Sequence, residues 1–177
     1  KNFFVYALGR KSKKRHPQVH WLRGSLNKNW KNYLKKTDIF IHLAASGIKK
    51  EDEIETIFKT NVIDSYALIE DAISNGCKKF IIASTSSEYV QNKKPMKLIT
   101  KRYPKNYYGL SKSVFSDLLV NLSRNNKKCQ FKLMRIFPVF GDKENHTRLF
   151  PSLKRAAKNG KNFVIKNPSE IRDFTDI

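Results

Sequence analysis

The chain has 177 residues, 40% hydrophobic and 12% aromatic, with 36 lysines and arginines against 15 aspartates and glutamates, a net charge of +21. That length suits one domain with a substantial core, and the composition lies away from the apolar-poor, highly charged corner where chains stay disordered. No run reaches the ~18 to 20 consecutive apolar residues that cross a bilayer, and residues 1–8 are too short and wrongly flanked for a signal peptide, so the chain reads as cytoplasmic with no membrane partner. The basic balance admits a polyanion partner, with Lys11-Ser12-Lys13-Lys14-Arg15 as the patch. The other lysines are spread over nearly every loop and helix face without interleaved aromatics or a nucleic-acid motif, so no specific nucleic-acid partner is expected. Cys77 and Cys129 stand far apart with no His/Cys cluster at metal spacing, which reads as two reduced thiols and no metal site.

In chain order, residues 3–8 form the first apolar run, and residues 38–45 and 79–84 form two more, continuous enough to be strands covered on both faces. Residues 54–75 carry Ile54, Ile57, Phe58, Val62, Tyr66, Ile69 and Ile73 at helical rhythm and stop at Gly76. Residues 91–105, with Pro95 and Pro104, form the longest irregular stretch. Residues 107–123 repeat the helical rhythm, 131–137 form a fourth strand, 149–159 a shorter helix closed by Gly160, and 163–166 a weaker fifth strand. Strands alternating with helices are the pattern of βαβ units around a parallel sheet.

Tyr108 and Lys112 stand four apart at the start of a helical pattern, so both side chains lie on one face and can reach one ligand. A phenol with an ordinary pKa of about 10 is a weak proton carrier at neutral pH, and a neighbouring ammonium favours its phenolate. Thr85 follows directly on the third strand, at the carboxyl end where open α/β sheets bind ligands. A hydroxyl there can hold a substrate carbonyl or alcohol. Taken alone, each element also fits a surface pair, a polar loop or a cap.

The ordered series His42-Leu43-Ala44-Ala45, Thr60-Asn61-Val62, residues 79–89, Tyr108-Gly109-Leu110-Ser111-Lys112, residues 135–141 and Arg172-Asp173-Phe174 resembles the NAD-dependent epimerase/dehydratase family of extended short-chain dehydrogenases/reductases. The resemblance covers nearly the whole chain. It implies an α/β, Rossmann-type, doubly wound parallel sheet, a nicotinamide cofactor and a nucleotide-sugar substrate, and it leaves a homodimer open. Carried over by position, Leu43, Ala44 and Ala45 lie along the cofactor, and Asn61 supports the site. Thr85 binds the reacting oxygen, Ser86 taking that place if the loop is offset by one, and Ser86 and Ser87 touch substrate. Tyr108 is the acid-base tyrosine. Lys112 bridges the cofactor ribose and tunes Tyr108. Pro138, standing where the family usually has Asn, is placed at the cofactor, and Arg148 and Arg172 grip the nucleotide diphosphate.

Two departures qualify the chemistry. The family's dehydratases carry an acid just after the Ser/Thr, whereas Ser86 and Ser87 follow Thr85 here and Glu88 comes one position late. That ranks epimerisation or reduction at a sugar ring carbon above 4,6-dehydration, with a non-catalytic nucleotide- or polyanion-binding module as the remaining alternative. Where an acid usually meets the adenosine ribose, Gly9 is followed by Arg10 and Lys11, so the NAD(P) assignment leans to NADP, with Arg10 as the contact. The resemblance further implies a fold truncated at both ends. The first βα unit with its glycine-rich phosphate loop and most of the substrate domain would be missing. Residues 1–142 would be a partial cofactor domain and 143–177 the start of the substrate-binding region. In the strand order 3-2-1-4-5-6, the absent strand falls between residues 3–8 and 38–45.

Overall fold

The computed structural model describes residues 3–10, 16–47, 52–90, 94–142, 144–165, 167–169 and 171–177. The basic run at 11–15 lies outside them. Five parallel strands make the framework: β1 (Val5–Gly9) pairs with β2 (Val19–Arg23), and β3 (Ile39–His42), β4 (Lys79–Thr85) and β5 (Gln130–Ile136) pair in that order. Two-residue strands β6 (Val139–Phe140) and β7 (Thr175–Asp176) form a small separate parallel pair. The helices are α1 (Lys31–Leu34), α2 (Ile54–Phe58), α3 (Ser65–Ser74), α4 (Tyr107–Asn125) and α5 (Leu149–Lys158). This is the expected α/β parallel architecture, Rossmann-type in its connections.

Between β1 and β3 the described residues form no ladder; a cleft of about 550 Å³ lies there instead, lined by Ala7, Leu8, Ile41, His42, Leu43 and Ala44 among others.

The core lies on one face of the β3-β4-β5 sheet. Phe80 and Ile82 of β4 are buried there, Phe131 stacks on Phe80 with centroids 4.7 Å apart, and Phe115, Leu119 and Leu122 of α4 close over them. The alternate residues Ile39, Ile41, Met134 and Ile136 are exposed on the other face. Coverage on both faces, expected from the continuous apolar runs, is therefore not seen among the described residues. A side-chain period of 2 makes an apolar run blind to which of its faces a helix covers.

Other boundaries also shift. Phe3 and Phe4 precede β1 and are exposed, and β3 ends at His42, leaving Leu43, Ala44 and Ala45 in the following loop. The predicted strand at 163–166 is irregular over 163–165, Lys166 being outside the described residues, and the pairing with β6 goes instead to Thr175 and Asp176. β2 was not anticipated: His20 and Arg23 interrupt it, because an outer strand needs apolar residues only where it meets the core. The predicted helix at 54–75 is two α-helices joined by a π-helical segment, Lys59–Asp64. Its widened turn points Asn61 into the protein, and Ser65 donates to the Thr60 carbonyl at 2.6 Å. Gly76, at φ +97°, ends α3 in a backbone conformation that L side chains rarely adopt.

His42 closes β3 with 3% of its surface exposed, its ring 5.7 Å from that of Phe115. Burial first, and the Lys112 charge second, push its pKa from 6.5 down to about 4. The folded chain thus keeps His42 neutral while the unfolded chain takes up a proton near pH 6.5, so the unfolded state binds more protons between about pH 6.5 and 4, and stability falls as pH drops through that window. The shift corresponds to about 3 kcal/mol. Urea midpoints of the full-length protein at pH 7 and 4.5 should diverge, and His42→Phe should remove most of that divergence.

Candidate functional site

The parallel register of β4 and β5 brings Thr85 level with Ile136, at the carboxyl edge of the sheet. Thr85 is buried, and its Oγ1 accepts a hydrogen bond from the Ser87 amide at 3.1 Å, which turns the chain sharply off the strand. α4 starts opposite this turn. Its N-cap, Asn106, accepts from the Gly109 amide at 2.7 Å through Oδ1, satisfying a donor that the first helical turn cannot. A Cβ on Gly109 would stand 2.4 Å from the Ser87 carbonyl oxygen and 3.1 Å from Pro104, so only glycine lets the helix come this close. The approach sets the Tyr108 hydroxyl near enough to Thr85 for the threonine to favour the phenolate.

One turn on, Lys112 is 3% exposed, its ammonium 5.8 Å from the centroid of the Phe115 ring. Burial lowers its pKa to about 8, opposed by the charge of Glu88. Among the described residues its ammonium has no hydrogen-bond acceptor. A lysine buried along its stem whose ammonium keeps an open donor fits a hydroxyl-rich ligand such as the ribose of a nicotinamide nucleotide. Tyr108 is raised above the ordinary phenol range by burial, which outweighs the Thr85 hydrogen bond and the Arg148 charge acting the other way. Arg148 acts on the phenol from the N-cap of α5.

Asn61 ties the loop after β3 to α4. Its Oδ1 accepts from the Ser46 amide at 2.7 Å, and its Nδ2 donates to the Ser46 carbonyl and to the Ser111 hydroxyl, each at 2.9 Å. Ser111 neighbours Lys112, so the asparagine sets that loop against the catalytic candidates. Asp52 holds the same loop from outside, accepting from the Gly47 amide at 2.6 Å.

Ser86, Ser87, Asn106, Pro138 and Arg172 line one cavity of about 640 Å³ beside this constellation, with Lys94 and Lys105 on its wall. Leu43 and Ala44 line the cleft between β1 and β3, and Ala45 follows in the same loop. Arg10 is exposed just beyond β1, on the other half of the sheet, and nothing in the described structure brings it to Tyr108. Sequence reasoning did not pick out Asn106, Ser111, Lys94 or Lys105. A signal existed for Asn106, since an asparagine just before a predicted helix is a cap. Ser111 has no such local mark, for its partner lies fifty positions away.

Gly109→Ala should force α4 away from the Ser87 carbonyl and lengthen the Tyr108 to Thr85 contact. A loss of about 1–3 kcal/mol in stability is expected from the overpacking, and a crystal structure of the variant should show the two hydroxyls separated.

The model of the NAD dependent epimerase/dehydratase family matches residues 3–177. A probable UDP-arabinose 4-epimerase 3 of Oryza sativa subsp. japonica is 29% identical over 107 residues, which are 59% of this chain and 26% of the rice protein. MoeE5, solved with UDP-glucuronic acid and NAD, superposes with a TM-score of 0.83 at 23% identity, covering 99% of this chain and 60% of its own. A UDP-N-acetylglucosamine 4-epimerase of Methanobrevibacter ruminantium M1, in complex with UDP-N-acetylmuramic acid, gives 0.84 at 24% identity, over 98% of this chain and 61% of its own. The chain thus spans about 60% of the length of these structures and about a quarter of the rice relative. With its matching region running from residue 3 to the last residue, the chain belongs to the NAD dependent epimerase/dehydratase family.

Proposed function

We propose that the protein is a nucleotide-sugar epimerase or reductase in which Tyr108 moves a hydroxyl proton while hydride is transferred at a sugar ring carbon. The observation that carries this reading is the placement of Tyr108 at the start of α4, one turn from the buried Lys112 and facing the turn that begins at Thr85, where the Ser87 carbonyl closes on Gly109. When bound, the nicotinamide cofactor supplies the hydride acceptor or donor and, oxidised, a positive charge near the phenol. Thr85 holds the sugar oxygen by its hydroxyl. Tyr108 takes the proton from that oxygen and returns it. Lys112 offers its ammonium to the ribose hydroxyls and, with Arg148, counters the burial that holds the phenol protonated. Leu43, Ala44 and Ala45, fixed by Asn61 through Ser46, and Pro138 line the cofactor; Ser86, Ser87, Arg148 and Arg172 meet the sugar nucleotide. Relatives solved with uridine diphosphate sugars support that substrate class.

Epimerisation or reduction is favoured over dehydration, because Glu88, the acid nearest in sequence to Thr85, has no exposed surface and spends its oxygens on Ser84, Ser116 and Arg135. Residues 1–142 then form the cofactor-binding part and 143–177 begin the substrate-binding part. No helix of the described residues is long and apolar enough to cross a membrane, and we place the protein in the cytoplasm, making precursors for surface polysaccharide. A homodimer is proposed through α4, where Leu110, Val114 and Leu118 stand exposed at helical spacing.

In the full-length protein, Tyr108→Phe should lower kcat/KM by about 10²–10⁴ while cofactor titration by fluorescence stays unchanged; full activity in that variant would overturn the assignment. In the parent, kcat/KM should fall as pH rises through about 8, where Lys112 loses its proton. The preference for NADP rests on Arg10, exposed at the end of β1. Arg10→Asp should weaken NADP binding at least tenfold and leave NAD binding within about twofold; equal effects on both would remove Arg10 from the 2′-phosphate.

A further inference from the structure

Glu88 is charged, wholly buried and absent from the chemistry proposed above. The Ser84 hydroxyl donates to its Oε1, and the Ser116 hydroxyl lies 2.7 Å from the same oxygen. Arg135 Nε donates to Oε2 at 3.1 Å, and the Arg102 guanidinium stands 3.6 Å from it, also pairing with Asp117 on α4. These partners come from separate elements. Ser84 precedes Thr85 on β4, Arg135 lies beside it on β5, and Ser116 is one turn beyond Lys112 on α4, its hydroxyl also 2.9 Å from the Lys112 carbonyl oxygen. The Tyr103 amide donates to the Glu88 carbonyl at 2.9 Å, fastening the segment ahead of α4 to the same residue.

An aliphatic side chain would fill this volume without the desolvation that a carboxylate suffers. What it would not supply is a connected set of directional bonds, or a negative charge that acts on Lys112. We propose that Glu88 is the positioning residue of the site, holding Thr85 and Lys112 in register across β4, β5 and α4, with Ser116 joining its carboxylate to the Lys112 turn so that its charge stands toward that lysine. The proposal rests on the reading that Thr85 and Lys112 act together.

The titratable groups that act on or feel Lys112 are His42 from β3 and Glu88 from the turn after β4, with Tyr108 one turn before it on α4, and Arg135 of β5 and Arg102 of the preceding loop acting through Glu88. Burial drives Lys112 toward neutrality and Glu88 opposes it. The strength of that opposition depends on how fully the two guanidiniums neutralise the carboxylate. Removing the carboxylate charge and removing one of its cations should therefore move Lys112 in opposite directions.

The test follows the Lys112 side-chain NMR signal against pH in the full-length protein, with Lys112→Arg identifying the signal. In Glu88→Gln the midpoint should fall by about one pH unit, and the alkaline limb of kcat/KM should move down with it. In Arg102→Gln, whose guanidinium is 30% exposed and so replaceable without emptying the core, the midpoint should rise. An unmoved midpoint in Glu88→Gln, or shifts of the same sign in both variants, would leave Glu88 a packing residue and overturn the proposal. If Glu88→Gln does not fold, Arg102→Gln decides alone: no upward shift overturns it. The titration needs no substrate, so its outcome is independent of whether the sugar-nucleotide reading holds.

Discussion

Where α4 meets the turn after β4, the Ser87 carbonyl lies so close to Gly109 that no side chain fits between them. Everything proposed for the site depends on that approach. It sets the Tyr108 hydroxyl against Thr85, and it starts the helix at an angle that carries Lys112 inward over Phe115. Helix and turn are each stabilised locally, by the Asn106 cap and by the Thr85 to Ser87 hydrogen bond. Their closeness has no local cause. It comes from α4 packing Phe115, Leu119 and Leu122 onto Phe80 and Ile82 of β4, which draws the helix down on the strand that ends in the turn.

Two buried polar side chains hold the surroundings of this contact. Asn61 links the loop after β3 to α4, and Glu88 links β4, β5 and α4. Hydrophobic packing is non-directional and tolerates small slides, whereas hydrogen bonds at 2.7–3.1 Å do not. The division of labour is physical: the core supplies most of the stability, and the polar ties restrict which arrangement of the strand ends is adopted. The π-helical segment belongs to the same logic, since its widened turn aims Asn61 inward.

Burial works against both titrating groups of the site, raising Tyr108 and lowering Lys112. Each is countered by a charge from another element, Arg148 for the phenol and Glu88 for the ammonium. This is the usual compromise of a site that must exclude water and still move a proton. The excess of lysine and arginine over the whole chain has little to do with it, because most of those side chains are solvated while the two interactions that matter come from one arginine and one glutamate.

Apolar periodicity was enough to locate β3, β4, β5 and α4, and with the ordered motifs it identified the family and singled out Thr85, Tyr108 and Lys112, because residues at a strand end or four apart on a helix are placed by local geometry. It did not reveal β2, where His20 and Arg23 break the run, or the uncovered face of the sheet, since an apolar run carries no mark of which face is packed. In the sequence Glu88 is an acid one position late for dehydration; the tertiary structure turned it inward because Ser84, Ser116 and Arg135, up to 47 positions away, converge on it. Sequence by itself determined β3, β4, β5 and α4 and the chemical identities at their ends, which depend on neighbours within a turn or a strand. Which charges face one another, and so how Tyr108 and Lys112 titrate, was decided only in three dimensions, where electrostatic coupling follows distance and burial rather than position along the chain.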